Sequence, residues 1–187
     1  MKDTALLIID MQNDFVLPDA AFRIKGALGI VDNVKKVLDD FRANALPIFH
    51  IVRVHRKDGS DVEIIRKEVF AKTPFAVEGT KGAEIIDELQ PRENEYVVKK
   101  IRMSAFFNTD LDSMLRSLAI RNVVITGIQT PNCIRTTAFD AVAYNYSTFL
   151  VEDASAGQTS QIHEANVLDM KNIGIKIIKP EQIKEFI

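Results

Sequence analysis

Short apolar runs rich in β-branched residues alternate along this sequence with longer segments of helical periodicity. The runs that predict strands cover residues 5–9, 47–52, 96–98, 123–125, 148–151 and 173–178. Most of them are nearly continuous in apolar character, which is typical of parallel strands covered on both faces. Apolar residues at three- and four-residue spacing predict helices over about residues 30–41, 111–118, 134–142 and 165–170. The alternation predicts an α/β fold: a three-layer α/β/α, Rossmann-like domain with a six-stranded, mainly parallel sheet.

The segment 53–81 interrupts this alternation. It is rich in charged residues, has little periodicity and contains Pro74 and Gly79. Long irregular segments are uncommon in compact domains, and they are often functional. We therefore expect an active-site loop with some helix at about residues 62–70. The alternative is a solvated connection with no part in the site.

Length and composition indicate a single globular domain, residues 1–187. Of the 187 residues, 47% are hydrophobic and 27% are charged, which is ordinary for one α/β domain. The formal net charge is −2 and the basic residues are dispersed, which argues against a nucleic-acid partner. No apolar run approaches the roughly 20 residues of a membrane span, and a signal-peptide pattern is missing. We therefore expect a cytoplasmic protein with no membrane partner.

Three residue types with catalytic chemistry follow three of the predicted strands. Asp10 follows the first strand, Lys99 and Lys100 follow the third, and Cys133, the single cysteine, follows the fourth. In open parallel sheets, ligands bind at the carboxyl ends of the strands, near the point where the strand order reverses. A carboxylate, an amine and a thiol are therefore expected at one edge of the sheet.

Each of these residues also has a structural interpretation. Asp10 is suited to form a turn or to cap a helix, and either lysine can be a surface charge. Cys133 can be a small buried hydrophobe, which is the commoner state of a free cysteine. Because the three groups coincide at strand ends, we favour the catalytic interpretation.

The residues before Cys133 predict how its helix begins. Thr130 or Asn132 can cap the helix, and Pro131 suits its first turn. Cys133 then lies in the first turn, where unpaired backbone N–H groups and the helix dipole favour a thiolate. We therefore expect a lowered pKa for the Cys133 thiol, and the neighbouring cation Lys100 adds to that effect.

Three motifs make the sequence similar to a known family. They are Leu7-Ile8-Ile9-Asp10-Met11-Gln12-Asn13-Asp14-Phe15, Lys100-Ile101-Arg102-Met103-Ser104-Ala105-Phe106, and Gly127-Ile128-Gln129-Thr130-Pro131-Asn132-Cys133-Ile134. In this order and at this spacing they resemble the isochorismatase-like cysteine hydrolase superfamily. That superfamily includes nicotinamidases, carbamoylsarcosine and ureidoacrylate amidohydrolases, and isochorismatases. The likeness runs along nearly the whole chain and selects Lys100 rather than Lys99.

The resemblance implies a catalytic triad and its chemistry. Cys133 attacks the substrate carbonyl, Asp10 is the base that later activates water, and Lys100 holds both in place. The backbone N–H groups of Gln129 and Cys133 form the oxyanion hole, beside a cis peptide between Ile128 and Gln129. The implied reaction is hydrolysis of a C–N bond in a small amide or ureide, through a thioester and without a cofactor. The family also implies a homodimer or homotetramer.

Departures from the family pattern separate this chain from two of its branches. Nicotinamidases carry a metal site with an Asp-x-His element after the second strand, whereas here that stretch contains His50, Arg53 and His55. His50 and His55 are an odd number of residues apart, so on a strand they face opposite sides. We therefore expect no metal site, and we expect His163 to be structural. Isochorismatases proper cleave a vinyl ether without a cysteine nucleophile, so Cys133 favours amide or ureide chemistry.

Basic residues after the second strand are candidates for binding a substrate carboxylate. Arg53, His55 and Arg56 lie at the expected carboxyl end of that strand, and the fork of an arginine suits a carboxylate. Salt bridges to Asp58 or Asp61 are an equally open alternative.

Phe15 and Phe106 are candidate walls of the substrate pocket, as is Phe107, although core packing is the commoner role of a phenylalanine. Two other functions stay open at this point. One is hydrolysis of an isochorismate-like enol ether on the same site. The other is a non-catalytic binding or redox-sensing module, because an accessible cysteine of low pKa also suits a sensor.

Overall fold

One parallel sheet forms the centre of the molecule. The computed structural model describes residues 3–185, so the two ends of the expected 1–187 domain lie outside the described residues. The strands are β1 (Thr4–Ile9), β2 (Ile48–Arg53), β3 (Tyr96–Lys100), β4 (Asn122–Ile128), β5 (Ser147–Ala156) and β6 (Lys176–Ile178). Their order is β3-β2-β1-β4-β5-β6, and each neighbouring pair is parallel. The six predicted strands are all present.

Helices cover both faces of the sheet. They are α1 (Asn13–Val16), α2 (Val31–Ala43), α3 (Lys67–Lys72), α4 (Leu111–Ser117), α5 (Arg135–Ala143) and α6 (Ser160–Asn172). Short 3-10 helices cover Leu28–Ile30, Ile64–Arg66, Lys81–Ala83, Asp87–Leu89 and Pro180–Glu185, and a π-helix, Thr130–Ile134, leads into α5. The four helices predicted from apolar spacing correspond to α2, α4, α5 and α6, and the α/β fold class is confirmed.

The alternation of side chains along β1 explains the three layers. Leu6 and Ile8 point into a cluster shared with α2, whereas Leu7 and Ile9 point into a second cluster shared with α4, α5 and α6. Both sets are fully or almost fully buried, as the continuous apolar run predicted. Truncation of a core leucine of this kind to alanine typically costs about 2–5 kcal/mol of stability.

The strand order reverses between β1 and β4. The chain passes from β1 outward to β2 and β3 and then returns to place β4 on the other side of β1, which opens a crevice at the carboxyl ends of these two strands. Gly127 allows the two strands to pass closely there. Its φ is +104°, and a Cβ atom at this position would lie 2.2 Å from the carbonyl oxygen of Ile9.

The segment 53–81 is folded against the body of the protein. It contains a 3-10 helix and α3, so the helical part begins later than the expected residue 62. Phe70 and Phe75 are buried in a small apolar cluster of this segment. The carboxylate of Asp14 accepts a hydrogen bond of 2.7 Å from the backbone N–H of Ala76, which attaches the segment to the residues that follow β1.

Candidate active site

Lys100 joins the carboxylate and the thiol that the sequence predicted at the sheet edge. Its Nζ donates a hydrogen bond of 2.8 Å to Asp10 Oδ2 and lies 3.4 Å from Cys133 Sγ. Asp10, Lys100 and Cys133 are 4%, 1% and 6% exposed. Lys99 points the other way and pairs with Glu78 at the surface. The fold therefore brings Asp10, Lys100 and Cys133 together and leaves Lys99 outside.

Asp10 is held by the ends of the central strands. Its backbone N–H donates to the carbonyl of Ile51, and its φ of 55° turns the chain sharply after β1. The side chain of Gln12 then exchanges two hydrogen bonds of 2.7 Å with the backbone of Arg53, which ties the ends of β1 and β2 together. The second carboxylate oxygen of Asp10, Oδ1, is buried and has no hydrogen-bond partner of good geometry among the described residues.

Cys133 lies in the π-helix that follows β4. The peptide bond between Ile128 and Gln129 is cis, at the position that the family resemblance implies. The Gln129 carbonyl accepts hydrogen bonds from the backbone N–H groups of Asn132 and Ile134, which fixes the turn around the thiol.

The expected side-chain cap of this helix is wrong. Neither Thr130 nor Asn132 caps it, and Gln129 occupies the N-cap position without a side-chain hydrogen bond. The hydroxyl of Thr130 instead shares a hydrogen bond of 2.8 Å with Nδ1 of His163. This contact gives His163, which lies on α6, a structural partner in the π-helix.

The expected lowering of the cysteine pKa is also wrong. Burial raises the pKa of the Cys133 thiol and the Asp10 carboxylate raises it further, whereas the cations Lys100 and Arg53 lower it by less. Desolvation of the charged form is the dominant cause. At neutral pH the resting group is therefore a thiol, and a base has to remove its proton before it becomes a nucleophile.

Arg53 is a second cation beside the thiol. Its Nη2 lies 3.8 Å from Cys133 Sγ, and its Nη1 donates a hydrogen bond of 2.8 Å to Glu63 Oε1. Burial opposes the charged guanidinium, yet Cys133, Asp10 and Glu63 together raise its pKa. Arg53 thus forms a salt bridge, but its partner is Glu63 and neither of the aspartates considered from the sequence.

His55 and Arg56 follow the salt-bridge alternative. His55 is buried with Nδ1 3.3 Å from Asp61 Oδ1, and burial lowers the pKa of its ring. Arg56 lies at the surface, 3.6 Å from Asp58. Neither residue lines the cavity next to Cys133, so neither is placed to receive a substrate carboxylate there.

Two connected cavities lie above the thiol. The inner pocket has a volume of about 40 Å³ and is lined by Asp10, Phe15, Ile24, Arg53, Arg66, Ile128, Gln129, Asn132 and Cys133. The outer groove has a volume of about 370 Å³ and is lined by Phe15, Ala21, Phe22, Arg23, Ile24, Arg66, Val69, Phe75, Gln129 and Gln158. Four residues are common to both linings, so a ligand can extend from the groove to the thiol.

The structure separates the three phenylalanine candidates. Phe15 lines both cavities. Phe106 does not: it is buried against the rings of Tyr144 and Tyr146, so its assignment to substrate binding is corrected to core packing. Phe107 is 52% exposed and likewise lies outside both cavities.

Glu63 and Arg66 are site residues that the sequence analysis missed. Glu63 holds Arg53, and Arg66 lines both cavities. The available signal was their spacing, because residues three apart in a helical segment lie on one face. Both lie within the stretch for which a helix was predicted.

The remaining histidine, His50, lies elsewhere in β2, where its Nε2 is 2.7 Å from Glu95 Oε2. Across residues 3–185 no group of three or more His, Cys, Asp or Glu side chains is arranged to hold a metal ion. Within the same residues, none of the helices has the length and apolar character needed to span a membrane.

Comparison with known proteins gives consistent matches. Residues 4–182 match the model of the Isochorismatase domain family. A probable inactive nicotinamidase of Arabidopsis thaliana is 45% identical over 179 residues, which cover 94% of this chain and 91% of that protein. A ureidoacrylate amidohydrolase of Agrobacterium fabrum is 33% identical over 173 residues, 82% of this chain and 76% of that protein. The crystal structure of an isochorismatase family protein from Desulfovibrio vulgaris superposes with a TM-score of 0.96 at 41% identity, covering 100% of this chain and 98% of that one.

Proposed function

Because the chain belongs to the isochorismatase family of hydrolases, we propose that it hydrolyses a C–N bond of a small amide or ureide through a thioester on Cys133. The observation that carries this proposal is the buried contact of Lys100 with both Asp10 Oδ2 and Cys133 Sγ, at 2.8 and 3.4 Å. The relation to amidohydrolases such as the ureidoacrylate enzyme supports the choice of a C–N bond.

Asp10 acts as the base in the first step. Its unpaired oxygen Oδ1 takes the proton of the Cys133 thiol, and the sulfur forms a bond to the substrate carbonyl carbon while the C=O bond becomes an oxyanion. Lys100 and Arg53 offset the negative charge on sulfur as the proton leaves. The backbone N–H groups of Gln129 and Cys133 are the proposed donors to the oxyanion.

The same carboxyl group completes the reaction. When the tetrahedral intermediate collapses, the C–N bond breaks, and the nitrogen takes the proton held by Asp10 and leaves as ammonia or an amine. Asp10 then takes a proton from water, whose oxygen attacks the thioester carbon. The C–S bond breaks and the sulfur recovers a proton from Asp10, so a carboxylic or carbamic acid and the original thiol result.

The raised pKa of the thiol supports this assignment of the base. A thiol that is protonated at rest does not react until the carboxylate beside it accepts the proton. Lys100 contacts both that carboxylate and the sulfur, and burial of all three groups excludes bulk water from the proton transfer.

A panel of small amides tests the proposal. The panel consists of ureidoacrylate, nicotinamide, succinamate and N-carbamoylglycine, and the release of ammonia is measured for wild type and Cys133→Ala. We expect turnover of at least one compound by wild type and a decrease of about 10⁴-fold or more in the variant. Equal turnover by both proteins would rule out the thioester route and favour another nucleophile, such as an activated water molecule.

A further inference from the structure

The charges that face the two cavities do not cancel. Two carboxylates at the site are paired with cations. Asp10 Oδ2 lies 2.8 Å from Lys100 Nζ, and Glu63 Oε1 lies 2.8 Å from Arg53 Nη1. The linings of both cavities contain no further Asp or Glu side chain, whereas both contain Arg66. Arg23 lines the outer groove alone, where it is exposed and donates a hydrogen bond to the carbonyl of Pro18. Arg66 is therefore the positive charge without a carboxylate partner at the junction of the inner pocket and the outer groove.

Arg66 is placed to meet a ligand rather than a protein group. It ends the 3-10 helix Ile64–Arg66 and its side chain is partly buried. Within residues 3–185 its guanidinium makes no hydrogen bond or ion pair. The nearby carboxylate of Glu63 is influenced by the charge of Arg66, but Arg53 is the residue that donates a hydrogen bond to it.

Arg53 and Arg66 therefore differ in what they can bind. The guanidinium of Arg53 is already engaged by Glu63 and lies against the sulfur, so it stabilises charge at the reacting atoms. The guanidinium of Arg66 retains its hydrogen-bond donors in a partly dehydrated position, where a planar anion with two oxygens is the best-matched ligand.

The walls of the outer groove add a second requirement. The ring of Phe75 lies 4.5 Å from that of Phe22 and 6.2 Å from that of Phe15, measured between centroids. Aromatic rings of this kind accept an apolar spacer and offer no hydrogen bonds to a neutral polar group.

We propose that Arg66 binds a carboxylate of the substrate, so that the natural substrate is an amide or ureide of a small carboxylic acid. The scissile carbonyl enters the inner pocket beside Cys133, and a short apolar spacer places the carboxylate at the junction with the outer groove. This inference rests on the proposed hydrolase function and names the class of its substrate.

Binding without turnover tests this inference. Succinamate and succinamide have nearly the same size, but only succinamate carries a carboxylate. Their affinities are measured by calorimetry for Cys133→Ala, which cannot form the thioester, and for the double variant Cys133→Ala with Arg66→Met. We expect succinamate to bind Cys133→Ala about tenfold or more tightly than succinamide, and we expect this preference to disappear in the double variant.

A matched control removes a neighbouring charge. Lys67 is exposed, follows Arg66 directly and lines neither cavity, so Lys67→Met in the Cys133→Ala background is expected to keep the preference. Arg66→Lys is expected to keep only part of it, because an ammonium group lacks the planar fork. Equal affinity for both probes, no measurable binding of succinamate, or a preference that survives Arg66→Met would each overturn the proposal.

The experiment is independent of the proposed chemistry. Hydrolysis that persists in Cys133→Ala contradicts the thioester mechanism and leaves the binding preference to be judged on the calorimetry alone. Loss of the preference with Cys133-dependent hydrolysis intact contradicts only the carboxylate site at Arg66.

Discussion

Two buried ion clusters lie on this sheet, and they differ in how completely their acidic oxygens are hydrogen-bonded. In the first, Glu95 receives hydrogen bonds from Nε and Nη2 of Arg42, from Nε2 of His50 and from the backbone N–H of Arg92, so both of its oxygens are paired. In the second, Asp10 Oδ1 and Glu63 Oε2 are buried without a partner of good geometry.

The difference fits a structural role for the first cluster and the proposed chemical role for the second. A buried charge with every oxygen paired is a structural contact, whereas an unpaired buried oxygen is costly and is functional where it faces a pocket. Asp40 Oδ2 on α2 is also buried without a partner, but Asp40 lines neither cavity, so the position beside the pocket is the second criterion. Asp10 borders the inner pocket, and Glu95 borders neither of the cavities above the thiol. The comparison favours a structural role for the Glu95 cluster and supports the proposed catalytic role of the Asp10 cluster.

Among changes that test the two clusters, the largest effect is expected from Asp10→Asn. This change keeps the shape of the side chain but removes the base, so turnover of the best amide is expected to fall by about 10³-fold, measured as kcat. The thermal unfolding temperature serves as the fold control. Retention of more than a tenth of the wild-type rate would mean that another group removes the thiol proton.

The next effect is expected from Glu95→Gln, on stability rather than on rate. Removal of one partner from a buried ion pair is expected to lower the free energy of unfolding by about 3 kcal/mol, measured by urea titration at pH 7. Glu78→Gln, at an exposed pair with Lys99, is the matched control and is expected to cost less than about 0.5 kcal/mol. Equal costs for the two variants would remove the distinction between the clusters.

The stability difference between wild type and Glu95→Gln is also expected to depend on pH. Although burial opposes ionisation, hydrogen bonds from Arg42 and His50 lower the pKa of Glu95 to about 2. A lowered pKa in the folded state stabilises the protein above the unfolded value near 4.5, and this contribution is lost as the pH falls towards 2. The wild type is therefore expected to lose stability more steeply than Glu95→Gln between about pH 5 and pH 2.

The smallest effect is a shift in the pKa of Cys133. It is measured from the pH dependence of the rate at which iodoacetamide alkylates the thiol. Because burial and Asp10 raise the thiol pKa while Lys100 lowers it, the wild-type transition is expected above the ordinary value near 9. Lys100→Met is expected to raise it, and Asp10→Asn is expected to lower it. Lys99→Met is the control and is expected to leave it unchanged. Shifts of the opposite sign would contradict the geometry of the triad.

The sheet and the positions of the proposed catalytic groups were accessible from the sequence. Apolar runs predicted all six strands, and they are nearly continuous in β1, β2 and β4 because strands covered on both faces need apolar residues at nearly every position. The strand-end rule placed Asp10 and Cys133 together. Only the family resemblance chose Lys100 over its neighbour Lys99, because two adjacent lysines at the end of a strand are equivalent in composition.

Features that depend on burial and on long-range packing were not accessible. A position at the start of a helix predicts a low thiol pKa, but desolvation of Cys133 depends on the complete fold and reverses the sign. Phe106 follows the lysine motif in sequence, yet its ring turns towards Tyr144 and Tyr146. The contact between Arg53 and Glu63 depends on how the irregular segment folds back over the sheet, for which no periodic pattern exists.

The attachment of the segment 53–81 bears on how molecules of this design diversify in evolution. Asp10 follows one strand and Lys100 ends another, so the hydrogen-bond ladders of the sheet hold them in place. Arg66, Val69 and Phe75 line the outer groove from a peripheral segment, and such loops tolerate replacement better than strands do. Mutations of these three residues are expected to change which molecules enter while Asp10, Lys100 and Cys133 stay in place, so one scaffold can give rise to proteins of different selectivity.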